Sequence, residues 1–253
     1  YGVFSLQHRG QESAGIAVNN NGSFMVHKQT GLVADSFDDV ILSTLEGSAA
    51  VGTARLASSK ETGSDAIQPI LIKSRAGNIA LSSSSAILNE SEIRDSLKNL
   101  GAIFQTNTDS EVILSLFSRN RVRTDDCESA ILQTMKDIKG VYSMIFMTEE
   151  KLIGVRDPYG MRPLVLGRKD DIWMLSSETC ALDALDAEFI RDLEPGEIIS
   201  ISNTGKITST FFDDSEDSSE KRVNDGKVCI FEYVYVARPD SVIDGSSIYE
   251  SRV

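Results

Sequence analysis

Apolar residues along the chain fall mostly in short continuous runs closed off by Gly, Asn or Ser. One set lies at 16–18, 24–27, 49–52, 70–73 and 78–81; another lies at 142–148, 151–156, 163–166, 172–176 and 197–201. Runs of this length predict strands, and apolarity without alternation predicts cover on both faces. Between the two sets the period becomes helical. Segment 90–100 carries Ile93, Leu97 and Leu100 and meets Gly101, a C-cap residue. Segment 109–117 sets Val112 with Leu116 and Ile113 with Phe117, with Thr108 as N-cap, and 128–138 repeats the pattern before Gly140. Strands, then helices, then strands predict an α+β layered fold and not a doubly wound parallel sheet.

The stretch 213–227 (DDSEDSSEKRVNDGK) breaks this pattern. It is acidic and polar with only Val223 as an apolar anchor, which predicts a solvated loop or linker. Apolar residues resume at Val228, where a new packed unit starts that the remaining 26 residues cannot complete. The full 253 residues suit one large domain, or one domain and the start of a second. A formal charge of −13 repels nucleic-acid backbones and anionic membranes. No apolar run approaches the ~20 residues of a membrane span, so a cytoplasmic protein without nucleic-acid or membrane partners is expected. Cys127, Cys180 and Cys229 are odd in number and widely spaced, which fits free thiols and neither a disulfide framework nor a zinc ribbon. With His8 and His27 as the only histidines, no histidine metal centre is expected. His8 reads as a packing or helix-end residue and His27 as a surface one. Taken alone, Arg55 and Asp109 read as salt-bridge partners. No nucleophile elbow, P-loop, dinucleotide fingerprint or zinc-protease motif occurs.

Six phrases change the picture. LQHRGQESAGIAV (6–18), TDSEVIL (108–114), RDPYGMRPLVLG (156–167), SSETCALD (176–183), RDLEPGEII (191–199) and CIFEYVYVARPDS (229–241) occur in this order. Together they resemble the amidophosphoribosyltransferase family. The resemblance implies that family's N-terminal class II glutamine amidotransferase domain over 1–227, a four-layer αββα sandwich of the N-terminal-nucleophile hydrolase type. It makes 228–253 the start of the segment leading into a phosphoribosyltransferase domain. In that family an N-terminal cysteine attacks the amide carbon of glutamine with its own α-amine as base, whose pKa of ~7.7–8.0 suits the task. The ammonia then displaces pyrophosphate from phosphoribosyl pyrophosphate, the opening step of purine nucleotide synthesis.

Residue by residue, the resemblance is uneven. The family's cysteine lies upstream of the helix that ends in LQHRG, and Tyr1 falls inside that helix, so no nucleophile is expected in this chain. The family's oxyanion phrase, of the type ALAHNGNL, pairs an Asn side chain with a Gly N–H. Here ALSSSSAI (80–87) sets Ser84 at the Asn position and Ser85 at the Gly within the tract 82–85. The Ser84 hydroxyl is expected to fall short, and Ser85 to be strained where a positive φ is required. Losing one such donor costs ~10²–10³ in rate. GHVRYST becomes GTARLAS (52–58). Arg55 matches the arginine that clamps the α-carboxylate of glutamine. Asp109 matches the aspartate that receives the α-ammonium, Ser58 keeps a hydroxyl where the family has Thr, and Arg9 matches an arginine near the nucleophile. Cys229 stands where some members ligate an iron–sulfur cluster, but the other ligands are absent; no cofactor is expected, and magnesium only with the phosphoribosyltransferase domain. The implied function is an amidotransferase part silent as a glutaminase, a pseudoenzyme that binds glutamine or glutamate weakly within a homo-oligomer. The alternative is a non-catalytic interaction or glutamine-sensing domain serving a partner phosphoribosyltransferase.

Overall fold

The computed structural model describes residues 1–56, 64–74, 77–212, 227 and 229–253. A helical turn α1 (Gly2–Ser5) and a 3-10 turn (Gln7–Arg9) precede β1 (Ser13–Asn20) and β2 (Ser23–Thr30). Short α2 (Val33–Ser36) and α3 (Asp39–Thr44) lead to β3 (Ala49–Arg55), β4 (Ile70–Ser74) and β5 (Gly77–Ile87). Helices α4 (Glu90–Asn99), α5 (Asp109–Arg121) and α6 (Cys127–Asp137) come next. They are followed by β6 (Gly140–Met147), β7 (Lys151–Arg156), β8 (Val165–Lys169) and β9 (Ile172–Ser176). A turn of helix, α7 (Cys180–Asp183), joins these to β10 (Glu188–Asp192), β11 (Glu197–Ser202) and β12 (Ile207–Phe211). The C-terminal segment has a π-helical stretch (Glu232–Val236), a ribbon of β13 (Val242–Ile243) and β14 (Ser246–Ser247), and α8 (Ile248–Arg252).

Six strands make an antiparallel sheet in the order β12–β11–β7–β6–β5–β4. Alternation sorts their side chains between two apolar layers. Ile79, Leu81, Tyr142, Met144, Phe146, Ile153, Val155 and Ile198 pack against residues of α4–α6 such as Leu97, Ile113, Phe117 and Ile131. Ala80, Ile145, Met147, Leu152 and Ile199 point the other way, onto two three-stranded sheets, β2–β1–β3 and β10–β8–β9. Helices α1, α2 and α7 lie against these smaller sheets. Helices, sheet, sheets, helices: this is the expected four-layer sandwich, held by buried aliphatic and aromatic side chains worth about 1.5–3 kcal/mol each.

Several local expectations need correction. The runs at 24–27 and 172–176 are not covered on both faces; β2 and β9 are edge strands with half-exposed side chains. The run at 163–166 becomes β8 two residues later, because Pro163 has no N–H for the ladder. His27 is half-buried, not a surface residue: its Nε2 lies 2.9 Å from the Ser36 carbonyl and its ring sits edge-on to Phe37. Residues 213–226 of the acidic stretch lie outside the described residues. Lys227 is docked, its N–H donating to Tyr159 O at 2.7 Å and its ammonium lying over the Tyr159 ring. Among the described residues, no helix is long and apolar enough to cross a membrane.

Candidate functional site

The end of β3, the middle of β5 and the start of α5 surround a cavity of about 710 Å³ between the sheets. Five of the singled-out residues, Arg9, Arg55, Ser84, Ser85 and Asp109, line it. Ser58 lies outside the described residues.

Arg55 closes β3 and pairs with Ser13 of β1. Gly10 lies flat on it; a Cβ at Gly10 would stand 2.2 Å from the Arg55 carbonyl carbon. The Arg55 guanidinium donates through Nη1 to Ala66 O at 2.5 Å. Asp109 opens α5, where the Thr108 hydroxyl caps the Glu111 N–H at 3.2 Å. The loop before it is held from both sides: Glu111 accepts the Gln105 and Thr106 N–H groups, and buried Arg94 donates to Thr106 O and Thr108 O. Asp109 Oδ2 accepts the Ile87 N–H at 2.8 Å, which aims the carboxylate at β5. Both residues are thus tied to the main chain.

The serine tract is an unbroken piece of strand. Ser83 and Ser85 face the helices, with the Ser83 hydroxyl 2.9 Å from that of Ser110 and 3.4 Å from that of Ser85. By alternation Ser82 and Ser84 face the space between the sheets. The left-handed residues of the chain lie elsewhere, so Ser85 carries none of the expected strain. Its register matters more. Ser85 stands opposite Tyr142, whose carbonyl turns away to accept the Asp157 N–H at 2.9 Å. The Ser85 N–H therefore points away from β6, to the edge where the Ser83 N–H meets Gln68 and the Ile87 N–H meets Asp109.

Arg9 sits in a buried ion network. Its Nη1 donates to Glu178 at 2.6 Å, and its two terminal nitrogens grip Glu232 at 2.9 Å each. His8, expected to pack or cap a helix end, instead reaches Glu178 at 2.7 Å. The other Glu178 oxygen accepts the Arg238 N–H and the Ser241 hydroxyl, and Arg162 adds a second cation to Glu232. Burial alone would raise the Glu178 carboxyl, but His8 and Arg9 outweigh it and hold it down at about 2. Burial pushes the Cys180 thiol up to about 11, and it also raises the Cys127 thiol. No cysteine is among the described residues lining the cavity, and no group of three or more His, Cys, Asp or Glu among them is placed to hold a metal.

Sequence reasoning missed Gln68, Ser110, Glu178 and Glu232. The two glutamates lie inside recognised phrases, SSETCALD and CIFEYVYVARPDS, yet nothing in a sequence marks a carboxylate as fully buried.

Comparison with known proteins supplies the family. A glutamine amidotransferase domain family matches residues 53–184. The amidophosphoribosyltransferase of Methanocaldococcus jannaschii is 43% identical over 260 residues, covering 100% of this chain and 55% of the relative. That of Archaeoglobus fulgidus is 40% identical over 252 residues, covering 100% and 53%. The solved glutamine phosphoribosylpyrophosphate amidotransferase of Bacillus subtilis, complexed with ADP and GMP, superposes with a TM-score of 0.87 at 36% identity, over 98% of this chain and 52% of that one. The chain thus spans about half the length of the curated relatives it matches. It belongs to the glutamine amidotransferase family, and along its whole length it is homologous to the N-terminal amidotransferase region of amidophosphoribosyltransferases.

Proposed function

We propose that the cavity holds the α-amino acid end of glutamine between Arg55 and Asp109. On this reading the chain is the glutamine-handling part of a cytoplasmic amidophosphoribosyltransferase, whose phosphoribosyltransferase domain receives the ammonia. One observation carries the reading: Arg55, Asp109 and the Ser84–Ser85 strand come from three separate elements and line one cavity. A guanidinium fork suits a carboxylate, a carboxylate suits an ammonium, and a strand N–H suits a carbonyl oxygen. Magnesium belongs with the phosphoribosyltransferase domain, no cluster forms at Cys229, and the whole protein assembles from several copies.

As a glutaminase the chain is proposed to be silent. The Ser85 N–H supplies one oxyanion donor, but Ser84 replaces the carboxamide that would supply the second, at a cost of ~10²–10³ in rate. Calorimetry or ligand-observed NMR should find glutamine bound with a dissociation constant near ~1 mM and binding lost in Arg55→Ala. Ammonia release should match buffer. Binding unchanged in Arg55→Ala, or turnover blocked by a thiol-alkylating glutamine analogue, overturns the reading. A second reading, glutamine sensing without hydrolysis, is favoured by the ion pairs that tie 229–253 to the body of the domain. It predicts that glutamine slows hydrogen exchange in that segment.

A further inference from the structure

A primary carboxamide is buried where the walls of the cavity meet. Gln68 is 2% exposed. Strand β4 begins at Ile70 opposite Leu81, and the same register continued by two residues sets Gln68 opposite Ser83. An ordinary ladder would close there with a backbone pair. The Gln68 side chain does it instead. Its Oε1 accepts the Ser83 N–H at 2.6 Å and its Nε2 donates to Ser83 O at 3.1 Å, the two-point pattern of an antiparallel pair. Nε2 also donates to Ser110 Oγ at 2.7 Å, one residue beyond Asp109. Both amide hydrogens and the carbonyl are thus engaged. The Gln68 main chain faces the other sheet: a Cβ on Gly15 of β1 would stand 2.1 Å from its carbonyl oxygen. Two residues upstream, the Ala66 carbonyl anchors Arg55.

We infer that Gln68 is a positioning residue for the cavity. Its carboxamide locks β5 to the start of α5, while its main chain packs the 64–69 loop against Gly15 of β1. Together these fix where Arg55, Asp109 and the Ser85 N–H stand relative to one another. A ligand gripped at its α end by the first two and at its amide end by the third requires that spacing to be constant. The importance of the spacing for glutamine rests on the functional reading above; the spacing itself does not.

The test uses the full chain, isotope-labelled, with Gln68→Leu. Asn19→Leu is the control. Asn19 is an equally buried amide holding main-chain groups at Gly22, Thr148 and Glu149, but it lies at the far end of β1 from Arg55, about 20 Å away. Two NMR signals report the site, the Arg55 Nε–H and the Ile87 amide that bonds Asp109. Gln68→Leu should move both and weaken glutamine binding at least about tenfold. Asn19→Leu should lose comparable stability, move neither signal and bind within about twofold of the parent. Gln68→Glu gives a second variant that keeps the shape. Its carboxylate faces the Ser83 carbonyl, and protonation restores a donor, so the two signals should return toward the parent as the pH falls into the carboxyl range. Signals unmoved by Gln68→Leu, or moved equally by Asn19→Leu, overturn the inference. If the unsubstituted chain binds no glutamine while Gln68→Leu alone moves the signals, the functional reading falls and the positioning role stands.

Discussion

Arg9 and Glu232, 223 positions apart in the chain, meet in a two-point pair with both contacts at 2.9 Å. Arg9 also lines the cavity and Glu232 opens the C-terminal π-helical stretch, so one buried contact joins the two regions. Replacing Arg9 by Met removes the shared cation from two carboxylates, Glu178 and Glu232, that are 0% and 2% exposed, leaving His8 beside the first and Arg162 beside the second. Removing one partner of a buried pair costs about 3–5 kcal/mol, because the remaining charge stays desolvated. Urea denaturation of Arg9→Met should show a loss of that size, and a loss under about 1 kcal/mol would mean that water and the remaining partners compensate the two carboxylates.

Glu178 should govern much of the acid sensitivity. Its carboxyl is held below its ordinary value, so it contributes stability that is complete above the unfolded pKa of ~4.3 and disappears as the pH falls toward about 2. The contribution amounts to about 3 kcal/mol at most. Stability measured from pH 6 to about 2 should fall less steeply in Glu178→Gln than in the parent. Parallel curves for the two proteins would refute the assignment.

Arg156 grips Asp244 through both terminal nitrogens at 2.8 Å while also donating to the carbonyls of Leu193, Gly160 and Arg162. Asp244→Ala leaves those three carbonyl contacts in place, so the loss should be local to the C-terminal segment. Charge-assisted hydrogen bonds are worth about 1.5–3 kcal/mol, and partial exposure of Asp244 favours the lower end. Amide exchange at Ile248, which donates to Ser241 O, should quicken about tenfold or more, with core amides such as Phe146 unchanged. Equal acceleration throughout would show that the segment does not open separately.

Gly10 has φ −174°, a conformation open to any residue, so its identity is not a matter of backbone freedom. It is set by contact with the Arg55 main chain. Gly10→Ala should cost about 1–3 kcal/mol as overpacking does, and should displace Arg55 enough to abolish glutamine binding. Gly10→Ala that binds normally would show that β3 yields there at no cost.

The buried Cys180 thiol, pushed up to about 11, is almost wholly protonated at neutral pH. Iodoacetamide at pH 7.5 should leave it unmodified in the native protein and label it on unfolding, as read by peptide mass. Rapid native labelling would imply a thiolate that the described packing does not allow.

Where the sequence was legible, the reason is periodicity. The boundaries of β7 and β9 and the start of α4 and α5 coincide with the predicted runs, and at α5 the Thr108 side chain supplies the expected cap. Strands β10 (EFIRD) and β12 (ITSTF) escaped because they hold no continuous apolar run; they form by pairing with β8 and β11, which no local pattern encodes. β5 outran its apolar stretch for a similar reason, its serines being carried on by β6. Arg55 and Asp109 were found through phrases and do share a cavity. Gln68 stayed hidden because its importance lies in a side chain acting as a strand, and only the register of β4 reveals that.

The alternation of the serine tract also divides the cavity wall for anyone who would reshape it. Ser83 and Ser85 belong to the frame, tied to each other and to α5, and enlarging them would push helices. All four serines touch the cavity, and Ser82 and Ser84 do so from the opposite face of β5. A longer polar side chain there projects between the sheets and not toward the helices, so placing a carboxamide by Ser84→Asn is the natural first move in engineering a more demanding pocket.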